Sequence, residues 1–236
     1  LFGTGGAPLF SIFRGKKEET KAVGVMNTSF SLVCVSAILL MMIGLVFARP
    51  LLVLFGASDT TMIYAYPYMM LYLIGTLPSM IAIGMNPFIN AQGYSLIGML
   101  SVAIGALTNL ILDPVFIFLF GLGVRGAAIA TVMGQIIALF YALYIALKKD
   151  FHVKFTLKNF KFRLKTVKDI YVVGIPSIVM QSIASVLITF LNKILIVLTP
   201  TAVTVLGVYY KLQSFVFMPV FGLNNGMVPI IAYNYG

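Results

Sequence analysis

The sequence predicts an all-α fold, a polytopic bundle of membrane-spanning helices, on three observations. Of its 236 residues, 61% are hydrophobic and only 9% are charged, and the mean hydropathy is +1.05, a combination that no soluble domain sustains. Apolar stretches long enough to cross roughly 30 Å of hydrocarbon fall at 24–47, 63–90, 94–120, 126–147, 170–198 and 202–232, behind the tail of a further one at 1–13. A glycine/proline pattern also recurs: Gly5, Pro8 and Gly15 in GGAPLFSIFRG return as Gly226, Pro229 and Gly236 in GMVPIIAYNYG, each displaced by 221 residues. Both copies close an apolar stretch. The six spans between them return the chain to the same side, as equivalent ends of two parallel six-span halves require.

The elements follow in order from their separators. The tail at 1–13 stops at RGKKEETK (14–21), and the span at 24–47 stops at ARP and GASDT around 48–60. NAQGYS (90–95) and GLGVRG (121–126) mark the next two turns, a long basic segment fills 148–168, and TPT (199–201) divides the last two spans. None of these separators holds a soluble domain. Prolines at 67, 78, 87, 114, 176, 219 and 229 lie within or at the ends of spans, where they bend helices and free carbonyls. The chain begins Leu-Phe-Gly-Thr and has no recognisable signal peptide, which reads as a piece of a longer protein. Cys34 has no second cysteine to pair with, so neither a disulfide nor a cysteine metal site is expected.

Charge sets the orientation. Arg14, Lys16, Lys17 and Lys21 fall on the same side as Lys148, Lys149, Lys154, Lys158, Lys161, Arg163, Lys165 and Lys168, whereas the opposite loops carry only Arg49 and Arg125. Twelve against two places the basic side in the cytoplasm. The net charge of +10 is then a topology signal and an attraction to anionic headgroups of the bilayer, and nucleic acid is not expected as a partner.

Polar groups inside the spans carry the functional reading. Asp113, in SVAIGALTNLILDPVFIFLFG, is the one acid well inside a span. A charge there costs about 2.5–3.5 kcal/mol to insert, so it should face the bundle interior or a wet cavity, as a proton or cation site does. Asn109 lies one helical turn earlier on the same face, and Pro114 frees the Leu110 carbonyl. With a turn centred near Leu122, Thr131 falls opposite Asp113 and is placed to donate its hydroxyl to the carboxylate. A similar count about Gln92 brings Tyr68 near the same depth, and Asn86 shares a face with Tyr68 five turns on. The alternative is a structural aspartate satisfied by neighbouring amides and hydroxyls. In the last two spans Gln181, Lys211, Gln213 and Asn224 are candidates for a substrate cavity, with a structural role equally open for Lys211. A membrane enzyme would call for clustered histidine, serine or metal-ligand residues, yet the single histidine, His152, falls in the basic loop.

GTGGAPLFSIFRGKKEETKA, PFINAQG, NLILDPVFIFLFGLGVRGAAIATVMGQ, VGIPSIVMQS and VYYKLQSFVFMPVFGLNNGMVPIIAYNYG resemble the multidrug and toxic compound extrusion (MATE) family, in its bacterial branch of DinF-like and MepA-like pumps. The resemblance covers the whole chain. It implies part of a twelve-helix, two-lobe transporter, running from the end of helix two through helix eight. Residues 1–147 would belong to the N-terminal lobe, 148–168 would form the basic inter-lobe linker, and 169–236 would begin the C-terminal lobe. It further implies a monomer in the bacterial cytoplasmic membrane that exports drugs or lipophilic cations in exchange for H+ or Na+, without a cofactor. The family's coupling cluster maps by position onto Tyr68, Asn86, Asn109, Asp113 and Thr131, with Asp113 as the place for a sodium ion if one binds. Its first-helix acid lies outside this sequence. Gln181 stands in the span where some members use an acid for sodium, which favours proton coupling at Asp113, and Asn90 departs from a commonly basic position. The rival expectations are a lipid-linked precursor flippase, which needs a more cationic cavity than Lys211 alone offers, and a non-transport scaffold.

Overall fold

Glycine at crowded faces and proline at bends shape the helices. In the computed structural model, which describes residues 1–55, 57–148 and 164–236, the described residues form α1 (Phe2–Gly15), α2 (Glu19–Leu54), α3 (Asp59–Ile74), α4 (Thr76–Ala91), α5 (Ser95–Pro114), α6 (Gly123–Lys148), α7 (Leu164–Leu198) and α8 (Pro200–Tyr235). A π-helical turn at Val115–Leu119 extends α5. No strand occurs among the described residues. The all-α membrane fold is therefore as expected. Five helical segments are long and apolar enough to cross a bilayer, and α3 with α4 makes a sixth, bent crossing. Of the expected linker 148–168, residues 149–163 lie outside the described residues.

The turns use the residues that their dihedrals demand. Gly93 (φ 87°) and Gly121 (φ 63°) take the left-handed conformation at the two tight connections. At the outer TPT turn, Thr199 caps α8 by accepting from the Ala202 amide at 3.2 Å, with Pro200 in the first turn.

Two expected boundaries move. The helix expected to end at 47 continues to Leu54 across a kink at Phe47 (φ −103°, ψ 16°), three residues before Pro50. Proline costs one backbone hydrogen bond and bends the helix, but the LLVL run beyond it is apolar enough to carry the helix on. The single span expected at 63–90 is two helices meeting at 52°. Gly75 occupies the junction, and Pro78 has no N–H to offer the Ile74 carbonyl, so the helix breaks where both weaken it.

α1 is the hub. Its Phe2, Ala7 and Phe10 share the buried core with Val25, Met26, Phe88 and Ile170. Phe10 meets Phe88 edge-on at 5.6 Å, and Phe2 meets Tyr171 at 5.7 Å. Each α1 glycine faces a different neighbour: a Cβ on Gly3 would strike the Gly84 carbonyl of α4, on Gly5 the Ile170 carbonyl of α7, on Gly6 the Ser29 hydroxyl of α2, and on Gly15 the Tyr233 carbonyl of α8. Such close approach is how helices associate where no hydrophobic force acts between them.

The last of these contacts is reciprocal. Gly15 packs on Tyr233 and Gly236, and Gly236 packs on Ile12. Under the 221-residue offset Ile12 corresponds to Tyr233 and Gly15 to Gly236. Each copy of the motif therefore presents the same glycine to the same position of the other, as two halves related by a two-fold axis do.

Gly5→Val is expected to destabilise the protein by about 1–3 kcal/mol through overpacking against α7. Gly24→Ala, where a methyl would meet nothing within 4 Å, is expected to be neutral or stabilising by up to about 1 kcal/mol. Thermal unfolding of the detergent-solubilised protein separates the two, and equal melting temperatures would contradict the packing described.

Candidate functional site

The site is built where α5 and α6 touch backbone to backbone. A Cβ on Gly134 would come within 2.6 Å of the Gly105 carbonyl, and one on Gly105 within 3.1 Å of the Gly134 carbonyl. This contact brings the next turn of each helix into hydrogen-bonding range. The Asn109 amide donates to Asp113 Oδ1 at 3.2 Å along its own helix and to Thr131 Oγ1 at 3.2 Å across to α6. Thr131 in turn donates to the Ala127 carbonyl at 2.9 Å.

The directions of these bonds decide what the group can do. Both amide hydrogens of Asn109 and the hydroxyl hydrogen of Thr131 are committed, so the capacity left over is on oxygen. Asp113 is half-buried. Among the described residues the ion pair that forms is Lys21 with Glu18, and no base neutralises Asp113. No cluster of three His, Cys, Asp or Glu occurs among the described residues. A cation held here would therefore rest on one carboxylate and neutral oxygens.

Thr131 does not donate to the carboxylate as expected; Asn109 bridges the two. The reason is register. The π-helical turn at Val115–Leu119 holds an extra residue per turn, and the pairs Gly105–Gly134, Asn109–Thr131 and Phe116–Gly126 centre the hairpin near residue 120 instead of 122. Asp113 then falls opposite Ala127, and Asn109 opposite Thr131.

Asn86 and Tyr68 are placed differently from their expected partners. The Asn86 amide donates to the Gly98 carbonyl at 3.0 Å, about 16 Å along α5 from Asn109 at 1.5 Å per residue. Tyr68 stacks on Tyr72 at 6.0 Å with ring planes 12° apart. It is Tyr72 that lines the cavity beside Asn109.

That cavity, of about 350 Å³, lies between α3, α4, α5 and α6, with Tyr72, Ser79, Ser101, Asn109, Thr131 and Gln135 as its polar lining and Ile83, Val102, Gly105, Gly134 and Ala138 among the rest. Tyr72 and Gln135 were not anticipated from sequence. Each lies four residues beyond an anticipated one, Tyr68 or Thr131, and the one-turn spacing of helical faces was the signal that could have found them.

The second-lobe candidates do not converge. Lys211 and Asn224 are exposed on α8, about 20 Å apart along the helix. Gln213 is half-buried, with its side-chain oxygen buried and unpartnered among the described residues. Gln181 belongs to α7, and its side chain lies outside the described residues.

Comparison with known proteins accords with this architecture. Residues 1–115 match the MatE family model. Over all 236 residues the chain is 29% identical to the multidrug export protein MepA of Staphylococcus haemolyticus, covering 52% of that protein. The chain spans about half the length of the curated relatives it matches. Among solved structures it is 25% identical to the outward-facing conformation of a multidrug resistance MATE family transporter of the MOP superfamily, with a TM-score of 0.90 over 99% of this chain and 53% of that one. The inward-facing conformation of such a transporter matches at 26% identity with a TM-score of 0.80, over 94% of this chain and 51% of the other. The described chain thus carries the fold of MATE transporters, and its first 115 residues are similar to the MatE family model.

Proposed function

We propose that this chain supplies the coupling lobe and the first part of the partner lobe of a secondary active antiporter, one that exports amphipathic or cationic compounds across the bacterial cytoplasmic membrane in exchange for H+ or Na+. The observation that carries the reading is Asp113: an intramembrane carboxylate without a base, held by Asn109, which is itself held by Thr131 across the α5–α6 contact. The relatives' description as multidrug export proteins supports the substrate class, and covalent chemistry has no part in the proposal.

The coupling step follows from donor and acceptor counts. Ionised, Asp113 accepts from Asn109; protonated or bound to a cation, it no longer needs that donor and, when protonated, becomes one itself. Occupancy therefore changes which partner Asn109 holds, and so the α5–α6 contact that Asn109 bridges. An ion that binds one arrangement better than the other shifts the population toward it.

The arrangement at hand fits the half of the cycle that is closed to the cytoplasm. α1 meets α7 at Ile170, beside Lys165 and Lys168, and α8 at Tyr233, over whose ring Arg14 of α1 lies. The higher TM-score to the outward-facing transporter, 0.90 against 0.80, agrees. Prolines in α2 to α5, α7 and α8 supply bends at which such a change could be absorbed. The flippase alternative is disfavoured because Lys211 is the one base within the span of α8, too little positive charge for the strongly cationic cavity that such a function calls for.

In vesicles containing the full-length protein, Asp113→Asn is expected to cut gradient-driven drug efflux at least tenfold, because it removes the carboxylate proposed to bind the coupling ion. Full efflux in this variant would refute cation coupling at Asp113. Imposing a pH or a sodium gradient separately identifies the ion.

Thr131→Val keeps the shape and deletes one acceptor of the Asn109 amide. Loss of one such hydrogen bond, about 1 kcal/mol, predicts a drop of about fivefold in coupled efflux with substrate binding retained. An unchanged rate would show that the Asn109–Thr131 link plays no part.

A further inference from the structure

Gln135 has no role in the hydrogen-bonded group above, yet its side-chain oxygen is buried without a protein partner among the described residues. It lines the same cavity as Asn109 and Thr131, one helical turn beyond Thr131, about 6 Å nearer the cytoplasmic end of α6. Of the buried side-chain oxygens left without a donor, it is the one on that cavity.

Its surroundings are unusual for a helix bundle. The side chain reaches across from α6 to the α3–α4 break, where its Oε1 would clash with a Cβ on Gly75, with Val132 Cγ2 3.0 Å and the Tyr72 carbonyl oxygen 3.2 Å from that same point. The break is rich in carbonyls and short of donors. Gly75 gives its amide to Tyr72 at 3.0 Å, while Pro78 has no amide to give Ile74. The C-terminal end of α3 adds the negative end of its dipole, and α4 leaves at 52°. Broken intramembrane helices that expose carbonyls beside a cavity are a recurrent way of holding monovalent cations.

We propose that Gln135 and the carbonyls of the α3–α4 break form a second cation station, one turn inward of Asn109 and Thr131. A coupling cation arriving from the outer side meets Asp113, Asn109 and Thr131 first. Gln135 Oε1 and the Tyr72 carbonyl are the next oxygens along the cavity toward the cytoplasm. The station is neutral, so it stabilises the ion in transit without competing with the carboxylate for tight binding. Gly75 is then required to be glycine, since any side chain would displace the glutamine oxygen.

The inference rests on the cation-coupled reading, and the test keeps the two separable. The half-saturating cation concentration for efflux, sodium or protons according to the driving gradient, is measured in vesicles with the full-length wild type, Gln135→Leu, Gln135→Glu, Gly75→Ala and Asp113→Asn. Gln135→Leu and Gly75→Ala are expected to raise it about three- to tenfold, the effect of losing one polar contact, with a smaller change in maximal rate. Gln135→Glu, which keeps the oxygens, is expected to hold it at or below the wild-type value. If Asp113→Asn abolishes coupling while Gln135→Leu and Gly75→Ala saturate like the wild type, the second station is overturned and the coupling reading survives. If Asp113→Asn couples normally, both fall. Should Gln135→Leu fail to fold, the Gly75→Ala and Gln135→Glu pair decides alone, since opposite shifts are expected and equal ones overturn the proposal.

Discussion

Close approach of helix backbones at glycine is the constraint on which this structure depends. In a bilayer, lipid tails are as apolar as leucine, so helices gain little from mutual apolar contact and associate through packing and interhelical hydrogen bonds. Gly3, Gly5, Gly6 and Gly15 let α1 lie against α4, α7, α2 and α8, and Gly105 with Gly134 does the same for α5 and α6. The second pair has a chemical consequence that the first lacks. Bond lengths across two helices are set by the distance between their axes, and an interhelical hydrogen bond of 3.2 Å between Asn109 and Thr131 needs the backbones to touch one turn away. The Asp113–Asn109–Thr131 cluster is therefore a product of packing before it is a product of polar residues.

Asp113, Asn109 and Thr131 were legible in the sequence because helical spacing and antiparallel counting need only residue numbers. What counting missed was every departure from ideal geometry. The hairpin, with a π-helical turn after Pro114 on its first arm, closes about residue 120 instead of 122, so Asn109 and not Asp113 faces Thr131. The span also breaks at Gly75, and Tyr72 instead of Tyr68 lines the cavity. Both deviations begin at prolines that are visible in the sequence, but a proline announces a missing hydrogen bond without saying whether the helix will kink, as at Pro50, widen, as after Pro114, or break, as before Pro78. That outcome depends on what neighbouring helices offer the freed carbonyls. Asn86 shows the complementary failure: sharing a face with Tyr68 along an ideal helix places it correctly around the axis, yet its amide belongs to Gly98 near the inner end of the hairpin.

The repeated glycine/proline motif was legible as sequence and acquires a physical meaning in the fold. An offset of 221 residues could mark nothing more than ancestry. Its two ends nevertheless lie side by side, with Gly15 on Tyr233 and Gly236 on Ile12, so the duplication is also a contact. Arg14 reinforces it, its guanidinium lying 5.7 Å from the Tyr233 ring centre and donating to the Ala91 carbonyl at 3.2 Å. A reciprocal interface has the property that any loosening on one side is matched on the other. Two equivalent helix ends meeting in this way form one reciprocal joint between the motif copies.

The route from the carboxylate to that joint runs through α4. Its Ser79, Ala82 and Ile83 line the cavity with Asn109 and Thr131, its Gly84 carbonyl abuts Gly3 of α1, and its Phe88 ring packs on Phe10 one turn from the Arg14 contact. α4 is also the segment freed from α3 by the break, so it can tilt about Gly75 without dragging the outer half of its span with it. Fixed dense packing on the α1 side and a hinge on the cavity side make α4 a lever with few arrangements available. One end of the lever lines the cavity with Asn109 and Thr131; the other packs on the helix that joins both motif copies. For the coupling proposed above, a small displacement of α4 suffices, because close-packed glycine contacts either fit or do not.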